Sequence, residues 1–588
     1  MSGLAGVLHY DGSPADECLL RRMTAAISHR GPDGIHHVAD GPVAIGHCLL
    51  CTTPESVHEE QPLWDEAGIC CLAMDGRVDN RGDLRRALEY AGLTLRDDTD
   101  AELALKSYLA WDEGCLDRIV GDFAFIVYDK EKRRLFCARD PLGVKPFYYW
   151  ENGKTLLWAS ELQQLFQHPE VRKEPNEGMV AEYLSARITS LEETLYAGIM
   201  RLPPAHAMTV SAAGLTRRCY WDPDPVPDEE PPDVRECSSR FGETLREAVR
   251  CRLRSQRPVG AELSGGLDSS SIVGVAQGLF REGIPGGDTF ETFSLIFPGF
   301  DCDESPFIDA VVEHWCLRAN KCRPDEGEWY RESARRHQDF PDHPNGRMSV
   351  PIYRALQERK WRACLTGVGG DQWLDREREV RWRHRASFAL QPYPRLSAAL
   401  RRAVGSKGYP PWIPDELARR VGLAERLRMR PVRRRFRGLG QRSQYALLAD
   451  GHSVHALEMT DRLASRFGLE PRHPFYDRRL VEFALELPDT LHRQGGLGKV
   501  LLRRAVPPLL PALVRDRESK AEFSGLFARM IEREAASFDD SVLAARGWLV
   551  HGGIRELRRR SLEHPWPRWF AVGIDTWCRT NLLQSAAA

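Results

Sequence analysis

A run of glycine, serine and aspartate near the middle of the chain has the composition of a phosphate-binding loop. It follows an apolar stretch, 259–263, that predicts a buried strand, and it precedes a stretch, 270–280, that predicts a helix. Backbone N–H groups and the positive end of a helix dipole bind phosphate oxygens at such a turn. An aspartate in the same loop, Asp268, is suited to hold a Mg²⁺ ion that bridges those oxygens. The residues predicted to contact the nucleotide here are Leu263, Ser264, Gly265, Gly266, Leu267, Asp268 and Ser269.

A second glycine turn also ends an apolar stretch and is also followed by an aspartate. Residues 363–371 read Ala-Cys-Leu-Thr-Gly-Val-Gly-Gly-Asp. In a parallel sheet both turns would lie at the carboxyl edge, where ligands bind. We therefore predict that Gly367 and Gly369 line the nucleotide site and that Asp268 and Asp371 share the Mg²⁺ ion. Considered alone, Asp371 would be interpreted as the N-cap of a helix.

Two lysines near the C-terminal end of the chain are candidates for the positive charge that such a site needs. A pyrophosphate leaving group and a tetrahedral or pentavalent oxyanion are stabilised by fixed cations. Lys499 lies in Gly-Lys-Val-Leu-Leu-Arg, and Lys520 lies in Arg-Glu-Ser-Lys-Ala-Glu-Phe. Taken alone, either lysine would be a surface residue. Together with the two turns, we predict catalytic roles for Lys499, Lys520 and Asp371.

Composition bounds the class of protein. The chain has 588 residues, too many for one hydrophobic core, so two or more domains are expected. A net charge of −2 provides no global attraction to nucleic acid or to a membrane. The first ten residues lack the basic and apolar segments of a signal peptide, and no apolar stretch is long enough to span a bilayer. The 15 cysteines lack metal-site spacing, which favours reduced thiols and a cytoplasmic location.

A segment rich in proline and acidic residues divides the chain. We predict an N-terminal domain at 1–221, a linker at 222–236 and a C-terminal domain at 237–588. In the N-terminal domain, alternating apolar runs predict strands at 43–50, 69–74, 123–129, 135–138 and 147–150, and helices at 17–28, 82–91 and 101–113. In the C-terminal domain, strands at 259–263, 289–297 and 363–366 alternate with helices. That alternation predicts an α/β fold with a doubly wound parallel sheet, followed by a mainly helical part.

Residues 376–440 differ from the rest of the chain because arginines are dense there and interleaved with aromatic residues and prolines. Two interpretations remain open. The segment could be a solvated helical face packed against acidic neighbours, or a docking surface for an acidic or extended peptide. Nucleic-acid binding gains no support from the rest of the chain.

Several motifs together resemble the asparagine synthetase family, including its N-terminal glutaminase-like domain. The run at 263–270 is not the Gly-x-x-x-x-Gly-Lys-Ser/Thr loop; it matches the pyrophosphate loop of enzymes that adenylate a carboxylate with ATP. Both glycine turns and both lysine stretches fit that family. Further matches are His-Arg-Gly-Pro-Asp at 29–33, Asp-Gly-Arg-Val-Asp-Asn at 75–80, Ala-Arg-Asp-Pro-Leu-Gly-Val-Lys-Pro at 138–146 and Gly-Leu-Glu-Pro-Arg-His-Pro-Phe at 468–475.

This resemblance implies a fold and a set of ligands. The N-terminal part would be an αββα domain of the Ntn-hydrolase type, similar to class II glutamine amidotransferases. The C-terminal part would be a doubly wound parallel-sheet domain of the ATP pyrophosphatase type. The resemblance also implies ATP and Mg²⁺, with Asp268 and Asp371 as metal ligands. It places Lys520 at the oxyanion of acyl transfer, Lys499 near the phosphates and Leu295 in the adenine pocket.

Three positions depart from the family pattern. Family glutaminases begin Met-Cys-Gly and use the cysteine as the nucleophile, whereas Ser2 follows Met1 here. Asp75 stands where the family has the asparagine of an Asn-Gly-Glu motif, and a carboxylate there would repel a developing oxyanion. We therefore expect no release of ammonia from glutamine. Val368 replaces a glutamate of asparagine synthetases and a tyrosine of β-lactam synthetases, and valine transfers no proton.

These departures leave an enzyme that adenylates a carboxylate and transfers it to an amine other than ammonia. The lasso peptide macrolactam synthetases are similar to this chain because they lack the cysteine and have a longer helical part. That resemblance implies that ATP adenylates an Asp or Glu side chain of a precursor peptide, whose N-terminal amine then displaces AMP. It also implies a leader-binding protein and a leader protease as partners, with no role for nucleic acid or membrane.

Other functions stay open. The chain could be a β-lactam synthetase or another small-molecule amide synthetase, although Val368 and the long C-terminal half count against this. An asparagine synthetase driven by free ammonia is a second alternative. A pseudo-synthetase that only binds a partner is a third, but a scaffold has no need of the two aspartates and two lysines. As general base, His452 and His455 are candidates, although a structural or surface role is favoured for both.

Overall fold

The computed structural model of the protein describes residues 1–226, 233–324, 330–342, 344–375, 407–428, 434–494, 497–518, 520–534, 542–561 and 565–583. Residues 376–406 and 429–433 of the arginine-rich segment 376–440 therefore lie outside the described part, as do residues 227–232 of the predicted linker. A helix begins at Val234, where the carboxylate of Asp233 caps it, so the last three residues of the predicted linker 222–236 are helical. Among the described residues, none of the helices has both the length and the apolarity needed to cross a membrane.

Residues 1–226 are described without a gap and form two antiparallel sheets of six strands each, packed face to face. The strand orders are β10-β8-β9-β1-β3-β2 and β12-β11-β7-β6-β5-β4. The strands are β1 (Gly3–His9), β2 (Gly34–Asp40), β3 (Val43–Leu49), β4 (Leu63–Trp64), β5 (Cys70–Val78), β6 (Gly121–Asp129), β7 (Arg134–Arg139), β8 (Tyr148–Glu151), β9 (Thr155–Ala159), β10 (Ile199–Arg201), β11 (His206–Ser211) and β12 (Gly214–Cys219).

Helices cover the outer faces of these sheets. The first sheet is covered by α1 (Glu17–Ala25), α4 (Leu162–Leu165) and α5 (Glu177–Leu184), and the second by α2 (Arg81–Tyr90) and α3 (Asp100–Trp111). Strand β6 is a continuous apolar run because both of its faces are buried. Phe123 and Phe125 pack beneath α2 and α3, whereas Ala124 and Ile126 pack between the sheets. The layers run helix, sheet, sheet, helix, which confirms the expected αββα architecture.

The C-terminal part is built on a parallel sheet with the order β15-β14-β13-β16-β17. Its strands in the described part are β13 (Val259–Glu262), β14 (Glu291–Leu295), β15 (Arg318–Cys322), β16 (Ala363–Leu365) and β17 (Glu470–Arg472), and a separate two-stranded pair consists of β18 (Arg493–Gln494) and β19 (Leu497–Gly498). The strand order reverses between β13 and β16. Ligands bind at such a switch point, and both glycine turns follow the strands that flank it.

Helices pack on both faces of this sheet, so the predicted doubly wound architecture is confirmed. The helices in the described part are α6 (Val234–Leu253), α7 (Leu267–Arg281), α8 (Ser305–Trp315), α9 (Tyr330–His337), α10 (Pro344–Met348), α11 (Val350–Glu358), α12 (Gly370–Leu374), α13 (Asp415–Arg420), α14 (Leu423–Arg426), α15 (Leu439–Tyr445), α16 (Gly451–Ser465), α17 (Arg478–Glu486), α18 (Asp489–His492), α19 (Val500–Ala505), α20 (Ala512–Arg515), α21 (Ser524–Glu534), α22 (Val542–Ala545), α23 (Gly553–Ser561) and α24 (Trp566–Cys578). One face carries α6, α7 and α17, and the other carries α11 and α16. Helix α24 packs against α5, which joins the helical C-terminal part to the N-terminal domain.

Two predicted boundaries are wrong in an informative way. The helix predicted at 270–280 begins at Leu267, because Gly266 in extended conformation is its N-cap, so Asp268 lies in the first turn and not in the loop. The helix predicted at 17–28 ends at Ala25 and is followed by a 3₁₀ turn, Ser28–Arg30. That turn delivers Arg30 into the protein interior, where it is fully buried.

Candidate active site

The glycine run forms the sharp turn that its sequence predicts. Gly265 has φ 75°, and a β-carbon there would lie 2.8 Å from Cβ of Phe307, so only glycine fits. Helix α7 begins without a side-chain cap, which leaves N–H groups of its first turn available to an anion. Ser264 and Ser269 support the turn through their hydroxyls, 3.0 Å apart. Leu263 is buried beneath α7, so only its backbone can face a nucleotide.

The second glycine turn packs directly against the first. A β-carbon on Gly367 would lie 2.8 Å from the backbone nitrogen of Ser269, and one on Gly370 would overlap the carboxylate of Asp268. Backbone therefore meets backbone at the switch point between β13 and β16. This contact places Asp371, at the start of α12, beside Asp268 at the start of α7.

The two lysines reach the same point from the C-terminal half. Nζ of Lys499 lies 2.5 Å from Oδ2 of Asp268 and 2.7 Å from Oδ1 of Asp371. Nζ of Lys520 forms an ion pair with Oδ2 of Asp371. Lys499 precedes α19 and has φ 57°, in the left-handed region. The structure thus brings together two aspartates and two lysines that are widely separated in the sequence.

The pKa values of the two aspartates in this cluster are shifted in opposite directions. Burial raises the pKa of Asp268 despite its contact with Lys499. Burial would also raise the pKa of Asp371, but Lys499 and Lys520 hold it below its ordinary value. Within the described part, Oδ1 of Asp268 is buried and accepts no hydrogen bond. Two carboxylates with one uncommitted buried oxygen are ligands that suit Mg²⁺, so Asp268 and Asp371 fit the metal role.

Two arginines that sequence analysis missed fix the lysine segments in place. The guanidinium of Arg503 donates to three carbonyl oxygens, those of Gly498, Arg515 and Arg517, at 3.1, 2.5 and 2.7 Å. Arg517 in turn pairs with Glu304 at 2.5 Å and donates to the carbonyl of Gly265 at 3.4 Å. Arg503 follows Lys499 by one helical turn, and that spacing was the only signal in the sequence.

We predict that Arg503→Met lowers kcat for pyrophosphate release by about 10- to 100-fold, because the segment that leads to Lys520 loses its anchor and the ammonium moves from its position. The measurement is steady-state pyrophosphate release. Arg504→Met is the matched control, since this neighbouring guanidinium bonds only the exposed side chain of Gln494 among the described residues. Equal rates in Arg503→Met and Arg504→Met would contradict the anchoring role.

Two other predicted residues lie at the carboxyl edge of the sheet, and the two histidines lie at the domain interface. Leu295 ends β14 and is partly buried, and Val368 is 41% exposed in the turn between the two sheet-edge glycines. His455 is buried on α16, where its Nδ1 lies 3.0 Å from the hydroxyl of Tyr183, and His452 packs against the ring of Phe570. Both histidines therefore face aromatic residues of the domain interface, which agrees with the structural role favoured for them.

The N-terminal centre around Ser2 is filled with ion pairs. The Ser2 hydroxyl accepts a hydrogen bond from the backbone N–H of Leu50 at 3.1 Å. Nζ of Lys145 lies 3.5 Å from the carboxylate of Asp75, and Arg30 lies 4.0 Å from it. The carboxylate expected to repel an oxyanion is thus engaged by two buried cations.

This buried network extends into the C-terminal part. Arg30 bonds Glu161 and, at 2.6 Å, Asp461 on α16. Arg77 bonds Asp79, Asp122 and Glu470 at 2.6 to 2.8 Å, and Glu470 belongs to β17 of the parallel sheet. These contacts connect residues more than 390 positions apart. The region around Ser2 is therefore part of the interface between the two domains.

Comparisons with known proteins agree with both halves of this description. A glutamine amidotransferase domain model matches residues 1–221, and an asparagine synthase model matches residues 240–579. Asparagine synthetase 3 (glutamine-hydrolyzing) of Bacillus subtilis is 27% identical over 538 residues, which cover 87% of this chain and 85% of that protein. Asparagine synthetase 1 of the same organism is 26% identical, over 88% of this chain and 86% of that protein.

Among solved structures, a glutamine aminotransferase class-II domain protein from Silicibacter pomeroyi is 15% identical, with a TM-score of 0.22, over 37% of this chain and 98% of that one. The asparagine synthase model spans more than half of the sequence. The protein therefore belongs to the asparagine synthase family, a family of ATP-dependent ligases that form amides.

Proposed function

We propose that the protein is a lasso-type macrolactam synthetase. ATP adenylates a side-chain carboxylate of a precursor peptide and releases pyrophosphate; the N-terminal amine of the same peptide then displaces AMP. The observation that carries this proposal is a contrast between the two centres. The cluster of Asp268, Asp371, Lys499 and Lys520 is assembled, whereas Asp75 beside Ser2 is engaged by Lys145 and Arg30.

The residues of the cluster divide the adenylation step between them. The N–H groups at the start of α7 bind the phosphates, and Asp268 and Asp371 would hold Mg²⁺, which supplies charge neutralisation when bound. Lys499, in contact with both aspartates, would offset the charge that the leaving pyrophosphate gathers. Lys520, 75% exposed at its side chain, can turn from Asp371 to the oxyanion of the acyl group.

Apolar side chains around the cluster support a peptide substrate. Val368 and Phe300 are each 41% exposed and Leu497 is 37% exposed, so each offers apolar surface to a substrate. Each lies within about five residues of the cluster or of Leu295. The ring of Phe523, three residues beyond Lys520, contacts Phe297 with centroids 5.4 Å apart. A rim of this kind suits a substrate with apolar side chains of its own.

The test is a substrate comparison with ATP and Mg²⁺. The peptides carry a free N-terminal amine and one Asp or Glu at successive positions, and they include products of short reading frames beside the gene, with the leader-binding protein and leader protease where those are encoded. We expect peptide-dependent release of AMP and pyrophosphate and a product lighter by one water. AMP release with L-aspartate and ammonium chloride, but with no peptide, would contradict the proposal. Chelation of Mg²⁺ should stop the reaction.

Ammonia-dependent asparagine formation is the second candidate. It is favoured by the relatives, which are named asparagine synthetases and match this chain over most of their length. The comparison with L-aspartate and ammonium chloride tests it directly. An absence of turnover with every acceptor would favour a binding scaffold.

We predict that the protein does not hydrolyse L-glutamine. The Ser2 hydroxyl accepts the Leu50 N–H, and Asp75 offers a carboxylate where an oxyanion would need donors. Glutamate release should match the rate without enzyme, with ATP or without it. The Ser2→Ala variant is the control and should behave identically. Glutamate release that Ser2→Ala abolishes would show an active centre.

A further inference from the structure

Glu262 is a carboxylate at the ligand-binding edge of the parallel sheet. It is the last residue of β13 and comes two residues before Ser264 of the glycine turn. In the register of the sheet it lies beside Phe293 of β14. Gly260 lies beside Cys364 of β16. Because side chains alternate along a strand, Glu262 shares one face with Leu295 on one side and Thr366 on the other.

That face is the one turned away from α7. Ala261 and Leu263 point into the core beneath α7, whereas the face of Glu262 is covered by α11, whose Leu356 lies 2.7 Å from the β-carbon position of Gly260. Glu262 is only half-buried, so one side of its side chain is accessible from outside the core. The strand ends there, so the opening lies at the carboxyl edge near the nucleotide turn.

No cation of the described part pairs with this carboxylate. Burial alone raises the pKa of Glu262 to about 7, with no contribution from a charged neighbour. Its electrostatic neighbours are Tyr353 and Cys364, and burial raises the pKa of both, which keeps them neutral at pH 7. A half-buried carboxylate without a partner is unfavourable, so this residue is suited to receive a cation from outside.

We propose that Glu262 binds the amine that attacks the acyl-adenylate and accepts its proton as the amide bond forms. This inference rests on the proposed function. The amine nitrogen bonds to the acyl carbon, the bond between that carbon and the AMP oxygen breaks, and AMP leaves with the electron pair. The amine attacks in its neutral form, and the one proton that its nitrogen loses as the amide forms goes to the carboxylate of Glu262.

The proton affinities of the two groups match. An α-amine has a pKa near 8 (about 7.7–8.0). A base with a pKa of about 7 is efficient near neutral pH, since about half of it is ionised there and it accepts a proton without a large penalty. The two histidines considered from sequence lie instead at the interface with Tyr183 and Phe570. Glu262 would supply the proton transfer that Val368 cannot perform.

The test compares Glu262→Gln with wild type, using whichever acyl substrate, cyclising peptide or L-aspartate, supports pyrophosphate release. Hydroxylamine is added in parallel, because it is largely unprotonated at neutral pH and traps an acyl-adenylate without a base. We expect amide formation to fall by about 100-fold while single-turnover pyrophosphate release and hydroxamate formation stay within a factor of about two. Glu291→Gln is the control, since that carboxylate lies at the opposite end of β14 and bonds Asn320.

The other outcomes overturn the inference. Unchanged amide formation removes the role of Glu262. A parallel fall in amide and hydroxamate shows a structural role, and a raised KM for ATP alone shows contact with the adenine. If the wild type itself releases no pyrophosphate with either substrate, the proposed function fails, and not this assignment alone.

Discussion

Asp268→Asn should lower the rate of pyrophosphate release by about 1,000-fold or more. Oδ1 of Asp268 is buried and accepts no hydrogen bond from the described residues, and Oδ2 lies 2.5 Å from Nζ of Lys499. Asp268 is also the one acidic residue in the first turn of α7. Asparagine keeps the shape but removes the charge that would hold Mg²⁺ against the phosphates. Losses of this size follow the removal of a group that acts on charge developing in the transition state.

The measurement is single-turnover pyrophosphate release with ATP and saturating acyl substrate. Asp309→Asn is the matched control, because Asp309 is a partly exposed residue of α8 that pairs with Lys321. The control should retain the wild-type rate. A rate in Asp268→Asn within tenfold of wild type would show that phosphate binding does not depend on this carboxylate.

Arg77→Met should destabilise the protein by about 3–5 kcal/mol. The guanidinium is fully buried and bonds Asp79, Asp122 and Glu470, so its removal takes the cation with the shortest contacts from two of these buried carboxylates and a close partner from the third. Arg252 and Arg472 remain nearby but cannot replace all three contacts. Glu470 belongs to the parallel sheet and the other two to the N-terminal domain. The loss should therefore weaken the interface as well as the sheet.

Urea unfolding followed by tryptophan fluorescence checks this prediction. We expect an earlier midpoint in Arg77→Met, with the transition separating into two steps as the domains lose their contact. Arg86→Met is the control, since Arg86 is exposed on α2 and pairs with exposed Asp83. An Arg77→Met midpoint equal to that of Arg86→Met would mean that the network contributes little.

The parts of the site that sequence analysis predicted are local. Each glycine turn follows its own strand within a few residues, and the parallel order of those strands brings the turns together. Lys499 and Lys520 were predicted for chemistry and by resemblance, but their meeting point depends on how α19 and the following segment pack. Arg503 was not predicted, because its three carbonyl partners are set by tertiary packing.

The buried charges show the limit of sequence patterns more clearly. Arg77 and Glu470 are separated by 393 positions, and the sequence around neither residue predicts that they pair. Polar residues in strands β5 and β17 contradict the apolar pattern expected of buried strands, and only their mutual neutralisation explains them. Glu262 is a similar case: an acidic residue ends an otherwise apolar strand, and the register of the sheet is needed to show what lies beside it.

The backbone torsion of Lys499 has a consequence for evolution of the enzyme. A non-glycine residue in the left-handed region costs about 1 kcal/mol or more, and glycine would remove that cost. Selection for a more stable fold would favour glycine here, whereas the catalytic role proposed for Lys499 requires the ammonium that touches both aspartates. At this position, thermal stability and the proposed catalytic role therefore favour different residues. Stabilising substitutions in this protein are better sought elsewhere.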